Sequence, residues 1–343
     1  MKSEAIPSNR ENSPLLEVDN LTVTYDAPGT DTKIRAVDGV SLAVGGTESV
    51  GLVGESGCGK TSIGNAIVGL VPVAGGAIRF RGTDIGHLSR SARRPFSSRI
   101  QVVFQDPFAS LNPRLSVGSC IAEALKAHGK GETGAVRKGR VAELLQSVGL
   151  APELAGRYPH EMSGGQRQRI GIARALAVHP SLIIADEPVS ALDVSVQVQI
   201  LNLLKDLGER MQLAYLFIAH DLAVVRYMCE RVIVMYRGKV VETAPTDELY
   251  GSVAHPYTEA LLSAVPDVDR ALRLGRRGGG RIVLRGDVPS AAEHIPGCPF
   301  HPRCHRAQAV CRADFPPVVH LSPTHWSVCH FAEDVAAKKG IVA

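Results

Sequence analysis

The stretch SVGLVGESGCGKTSIGNAIVGL, residues 49–70, restricts the fold more than any other part of the chain. Ser49–Val53 reads as a short buried strand, apolar and bounded by glycines. From Lys60 the apolar positions Ile63, Ile67 and Leu70 recur at helical spacing. Between strand and helix, Gly54, Glu55, Ser56, Gly57, Cys58, Gly59, Lys60 and Thr61 spell G-x-x-x-x-G-K-[ST], with Ser62 next. Glycines let the backbone curl until successive N–H groups face one anion, backed by the positive end of a helix. Lys60 can reach β- and γ-phosphates, and the Thr61 hydroxyl can ligate Mg²⁺. Residues 54–62 are therefore expected to hold a nucleotide's phosphates. Cys58 reads as a small loop residue, although the helix N-terminus could depress its pKa and make it sensitive to alkylation.

Two further motifs extend this reading. SLIIADEP ends an apolar run, Leu182–Ala185, in Asp186 and Glu187. Beside a phosphate loop, Asp186 would face Mg²⁺ and Glu187 the attacking water. Ser163, Gly164, Gly165 and Gln166 open a helix with an apolar face through Ile170, Ala173 and Leu176, which makes a second anion-binding helix end. Two such sites far apart in one chain suit two chains that sandwich nucleotide between them. Strands at Val50–Val53, Ile100–Phe104, Leu182–Ala185 and Tyr215–Ala219 alternate with helical stretches, which predicts a parallel α/β core. RVIVMYRGKVVETA predicts a hairpin turning at Arg237 and Gly238. Residues 106–165 read as a mostly helical insertion, and Val194, Val198, Leu201 and Leu204 as the inward face of an amphipathic helix.

Bulk properties narrow the classes. A chain of 343 residues has room for about two domains. A net charge of +4 is too mild to imply nucleic acid as a partner. No run approaches the roughly 18 apolar residues of a membrane span. Residues 1–14 lack the apolar core of a secretory signal and read as a disordered tail. Residence in the cytosol follows, where thiols stay reduced, so each of the seven cysteines needs its own explanation.

With these motifs in order, the chain resembles the ATP-binding cassette ATPases over residues 15–250. The resemblance implies an α/β P-loop cassette with a RecA-like core, an antiparallel β subdomain and a helical insertion, plus a small cysteine-rich C-terminal domain. It implies that Tyr25 in LTVTYDAP stacks on adenine, and that Gln105 in VVFQDP senses Mg²⁺ and couples to a membrane partner. SGGQ matches the family signature, with Met162 where leucine is commonest. Asp193 closes the SALD loop that crosses the dimer interface, and His220 in FIAHD matches the switch histidine at the γ-phosphate. Glu187, Lys60 and His220 would then be catalytic, with Mg²⁺ on Thr61, Gln105 and Asp186.

FQDPFASLNPR, RYPHEMSGGQRQRIGIARAL, ADEPVSALDVSVQ and HPYTEALLSAVP look most like ATPase subunits of oligopeptide and dipeptide permeases, in particular the second of their two paired ATPases. That resemblance implies ATP hydrolysis coupled to peptide import at the cytoplasmic face of the cell membrane. It also implies a related ATPase as heterodimer partner, two transmembrane permease subunits and an extracellular peptide-binding protein. Relatives that carry nickel or oligosaccharides are the alternative, and a soluble cassette ATPase is a further one.

Residues 251–343 are expected to form the permease-type C-terminal region, with a basic, glycine-rich linker over 268–281 and a cysteine-rich segment over 282–330. There Cys298, Cys304, Cys311 and Cys329 stand at C-x₅-C-x₆-C-x₁₇-C. Zinc and an iron–sulfur cluster both fit four thiolates, and the spacing leaves them close. The resemblance favours a 4Fe–4S cluster, because some peptide-permease ATPases carry this pattern on one. Loss of that metal is expected to leave ATP binding at Lys60 largely intact. Cys120 and Cys229 read as inert core residues.

Overall fold

In the computed structural model, residues 13–26, 29, 33–106, 110–128, 133–265, 282–284 and 286–337 are described. Most of the expected N-terminal tail and all of the expected linker lie outside these residues. Two sheets organise the chain. The first is antiparallel, in the order β2-β1-β4-β5, from β1 (Leu16–Asp26), β2 (Lys33–Val44), β4 (Gly75–Phe80) and β5 (Thr83–Asp84). Along β1 buried residues alternate with more exposed ones, as expected of a strand with one face on a core. This sheet is the expected antiparallel subdomain.

The second sheet has eight strands. Five of them are parallel and run to one edge: β9 (Arg231–Tyr236), β3 (Ser49–Val53), β8 (Ala214–Ala219), β7 (Leu182–Asp186) and β6 (Ile100–Val103) lie in that spatial order. β3, β7 and β8 are buried almost throughout, which suits strands covered on both faces. Helix α1 (Lys60–Val68) follows β3 and packs close to the sheet at Gly64, where an added Cβ would stand 3.2 Å from both Ile184 and Ile218. β9 turns at Arg237 and Gly238 (φ 45° and 76°) into antiparallel β10 (Lys239–Pro245), as the sequence predicts.

Within 106–165 the structure contains α2 (Val117–Ala127) and α3 (Gly134–Ser147), followed by α4 (Gly164–Leu176). The amphipathic helix α5 (Val194–Met211) forms, but its inward face differs from expectation. Ile200, Leu201, Leu204 and Leu207 are buried, whereas Val194 and Val198 are 75% and 52% exposed. At about 100° per residue those two valines stand well round the helix from the stripe centred on Ile200, Leu204 and Leu207.

The C-terminal segment divides its apolar residues between the main core and a small cluster of Cys329 and Ala332 with Ala254. β11 (Val318–His320) and β12 (Trp326–Val328) extend the large sheet, through pairs such as Glu242 with Ser327 in β10. Cys298, Phe300 and Cys311 belong to the main apolar cluster, where the Phe300 ring lies 5.2 Å from Tyr236 and 5.4 Å from Tyr257. So short and loop-rich a segment buries little apolar surface alone and shares its neighbour's. At the seam, the fully buried Glu242 carboxylate accepts from the backbone N–H groups of Ala254 and His255 (2.7 and 3.1 Å) and pairs with His325.

His255 caps the helix Pro256–Ser263 by accepting the Tyr257 N–H on Nδ1 at 3.1 Å. Burial lowers its pKa to about 3, so the folded protein holds it neutral. The unfolded chain binds a proton there below about pH 6.5, so stability present above that pH is lost as pH falls towards 3. Between pH 7.5 and 5.5 this single group is expected to cost about 1.4 kcal/mol. Urea midpoints should show that loss, and His255→Asn, which can still cap the helix, should remove it.

Candidate functional site

The carboxyl ends of β3, β6, β7 and β8 deliver the residues singled out in the sequence to one edge of the large sheet. After β3 the chain curls through Gly57 and Gly59, at φ 80° and 105°, into α1. Only glycine adopts such angles without strain. The Lys60 side chain folds back over this loop, 4% exposed, and its Nζ donates to the carbonyls of Gly54 (2.7 Å) and Glu55 (3.0 Å). Thr61 Oγ1 donates to Asp186 Oδ1 at 3.1 Å, and the Tyr25 hydroxyl meets Ser62 Oγ at 3.1 Å.

Beside the loop, Glu187 is the meeting point of a second group. Its Oε2 accepts from Gln105 Nε2 at 3.1 Å and lies 3.1 Å from Nδ1 of His220. Its backbone sits in the left-handed region at φ 46°, tied by a 2.9 Å bond from its N–H to the Ile218 carbonyl. That conformation is uncommon for a residue other than glycine. Burial pushes the Asp186 carboxyl above its usual range, while its Thr61 hydrogen bond pulls the other way. The two oxygens of Thr61 and Asp186 form the hard donor set that suits Mg²⁺.

Ser163, Gly164, Gly165 and Gln166 form a closed capping box: Ser163 Oγ accepts the Gln166 N–H and Gln166 Oε1 accepts the Ser163 N–H. Their hydrogen bonds are local, and none joins the phosphate loop among the described residues. Asp193 lies at the start of α5 with no side-chain cap bond. The structure thus gathers Tyr25, residues 54–62, Gln105, Asp186, Glu187 and His220, and leaves the signature and Asp193 outside that group.

Residues 37–190 match the ABC transporter family, and residues 241–311 match the oligopeptide/dipeptide transporter C-terminal region. The oligopeptide transport ATP-binding protein AppF of Bacillus subtilis is 51% identical over 87% of this chain and 89% of its own length. The chain belongs to the ABC transporter ATP-binding proteins. A putative peptide import ATP-binding protein of Brucella ovis is 48% identical over 92% of this chain and 98% of its own length. Among solved structures, the ATP-binding cassette MJ0796, in a dimeric post-hydrolysis state bound to ADP and Pi, is 30% identical. It aligns with a TM-score of 0.62 over 67% of this chain and 98% of its own. ABC ATPases of this family hydrolyse ATP at the nucleotide-binding cassette.

Three features of this ABC protein's loop were not visible in its motif. Tyr257 accepts the Glu55 N–H on its hydroxyl at 2.8 Å, and Arg303 holds the Glu55 carboxylate. Tyr257 lies in the HPYTEALLSAVP string and Arg303 beside Cys304, but both are far from the loop in sequence, so no spacing signals their contacts with it. The third is Cys58, which is 1% exposed, and burial raises its pKa more than the Lys60 charge lowers it. The activated thiol that a helix N-terminus could produce is therefore absent. At pH 7.5 Cys58 is expected to react with iodoacetamide at least about tenfold more slowly than free cysteine, as followed by peptide mass spectrometry.

Proposed function

We propose that this chain is the ATP-hydrolysing subunit of an importer of short peptides, with Glu187 as the residue that polarises the attacking water. The observation that carries this reading is the convergence of Gln105, Glu187 and His220 within 3.1 Å contacts, next to the Thr61–Asp186 pair. Lys60 and the loop N–H groups bind the β- and γ-phosphates, and His220 stabilises charge on the γ-phosphate. Tyr25 supports the base. Thr61, Gln105 and Asp186 would hold Mg²⁺, which supplies charge compensation for the phosphates when bound. Position and electrostatics carry the catalysis.

The local capping box of Ser163–Gln166 supports a half-site reading: the signature serves the nucleotide of a second, related ATPase, and that chain's signature completes this one, with Asp193 at their interface. Peptide cargo is supported by the C-terminal region match and by relatives named for peptide transport or import. Among the described residues no helix is long and apolar enough to cross a membrane. Two transmembrane permease subunits and an extracellular binding protein complete the complex, with this chain peripheral on the cytoplasmic face. Residues 15–250 act as the cassette and 251–343 as the C-terminal region.

Cys298, Cys304, Cys311 and Cys329 are the proposed ligands of a 4Fe–4S cluster. Three are buried and Cys304 is half-buried. Burial pushes the thiols of Cys304 and Cys329 up to about 11 and 12, and the cysteines raise one another. Among the described residues no group of three or more His, Cys, Asp or Glu side chains is placed to hold a metal ion, and the resemblance is what supports the cluster. Its contribution here is structural, tying loops that bury little surface.

In the assembled complex Glu187→Gln is expected to keep ATP binding and lose turnover at this site by about a hundredfold or more, whereas Lys60→Ala should lose binding itself. Normal single-site turnover by Glu187→Gln would remove that residue from its role. Anaerobically purified protein is expected to contain iron and acid-labile sulfide in equal amounts. Stoichiometric zinc without sulfide would replace the cluster by a zinc site.

A further inference from the structure

The phosphate loop is gripped from outside as well as by its own strand and helix. Arg303 donates Nη1 to Glu55 Oε2 at 2.6 Å and Nη2 to Glu55 Oε1 at 3.0 Å, a two-bond fork on the second residue of the loop motif. The two side chains are 6% and 29% exposed, so water does little to screen the pair. The same glutamate's backbone N–H is tied to Tyr257. Arg303 is fixed in turn by the C-terminal segment. Its N–H donates to the carbonyl of buried Phe300 at 3.0 Å, and the Cys298 N–H donates to the Cys311 carbonyl at 2.8 Å. Three residues on, Arg306 places a matching fork on buried Glu259, at 3.1 and 2.7 Å.

A carboxylate in a loop built to bind polyphosphate opposes its own ligand, and more strongly where water is partly excluded. A guanidinium forked onto it cancels that charge and holds the side chain in one orientation. We propose that Arg303 is a positioning residue for nucleotide binding: by neutralising and orienting Glu55, it makes the loop's affinity for ATP depend on the folded C-terminal segment. This rests on the reading of the loop as the ATP site. It departs from the expectation that loss of the tail's metal leaves ATP binding largely intact, because the guanidinium that holds the loop is adjacent in sequence to Cys304.

The test is equilibrium binding of a fluorescent ATP analogue with Mg²⁺ to the full chain, for Arg303→Gln, Glu55→Gln, the double variant and Lys60→Ala. Arg303→Gln leaves an unpaired carboxylate and is expected to raise Kd about tenfold. Glu55→Gln leaves an unpaired guanidinium and should lower Kd, with the double variant between the two. High salt should shrink both shifts. In the assembled complex Arg303→Gln should raise KM for ATP more than it lowers kcat. Should Arg303→Gln fail to fold, Glu55→Gln carries the test, because tighter binding is not what damage to a fold produces. Single variants that both leave Kd within about twofold, or that both weaken binding, would overturn the proposal. If Lys60→Ala binds normally, the ATP site itself is misplaced; if it alone loses binding, only the role of Arg303 falls.

Discussion

The buried ammonium of Lys60 sets the terms for the rest of the structure. A cation taken out of water is costly unless oxygen atoms surround it. Here the loop supplies two of its own carbonyls, those of Gly54 and Glu55. Wrapping the loop that tightly forces close approach elsewhere. A Cβ on Gly54 would stand 2.3 Å from the Met235 carbonyl of β9, and one on Gly59 would stand 2.3 Å from the Ala36 carbonyl of β2. The antiparallel sheet, the parallel sheet and α1 therefore meet at the loop, and the arrangement leaves a cation whose natural next partner is an anion.

Catalytic capacity depends on what the parallel strands bring beside that cation. β7 ends at Asp186 with Glu187 next, β8 ends just before His220, and β6 ends two residues before Gln105. Each strand end contributes one or two side chains, held by sheet register and not by loop chemistry. The hydroxyl, amide, imidazole and carboxylates so collected are separated by up to about half the chain in sequence, yet bond directly to one another. The signature helix stays apart, with Ser163 and Gln166 bonded to each other and not to the phosphate loop.

Much of this was legible because each local pattern had one structural outcome. G-x-x-x-x-G-K-T between an apolar strand and a helical period admits few conformations, and the apolar runs of β7 and β8 mark buried parallel strands. One misreading has a physical cause. Val194 and Val198 fit a helical repeat that turned out to be rotated away from the core, because periodicity finds a stripe without saying which stripe faces inward. Cys58 behaves as the small loop residue it reads as, because burial outweighs both its helix end and the Lys60 charge. The contacts of Arg303 and Tyr257 with Glu55 gave no signal, since a contact spanning 248 or 202 residues has no spacing rule.

The addition of β12 to β10 has an effect separate from chemistry. β10 would otherwise be the rim of the large sheet, and part of its row of peptide groups, from Glu242 to Thr243, is occupied by β12. β11 then forms the new rim, three residues long and largely exposed. Short rims offer little to a foreign strand, whereas a longer one of seven residues invites it. The C-terminal segment therefore also keeps copies of the chain from zipping together edge to edge. A chain cut after Ser263 would betray itself first by precipitating as its concentration rises.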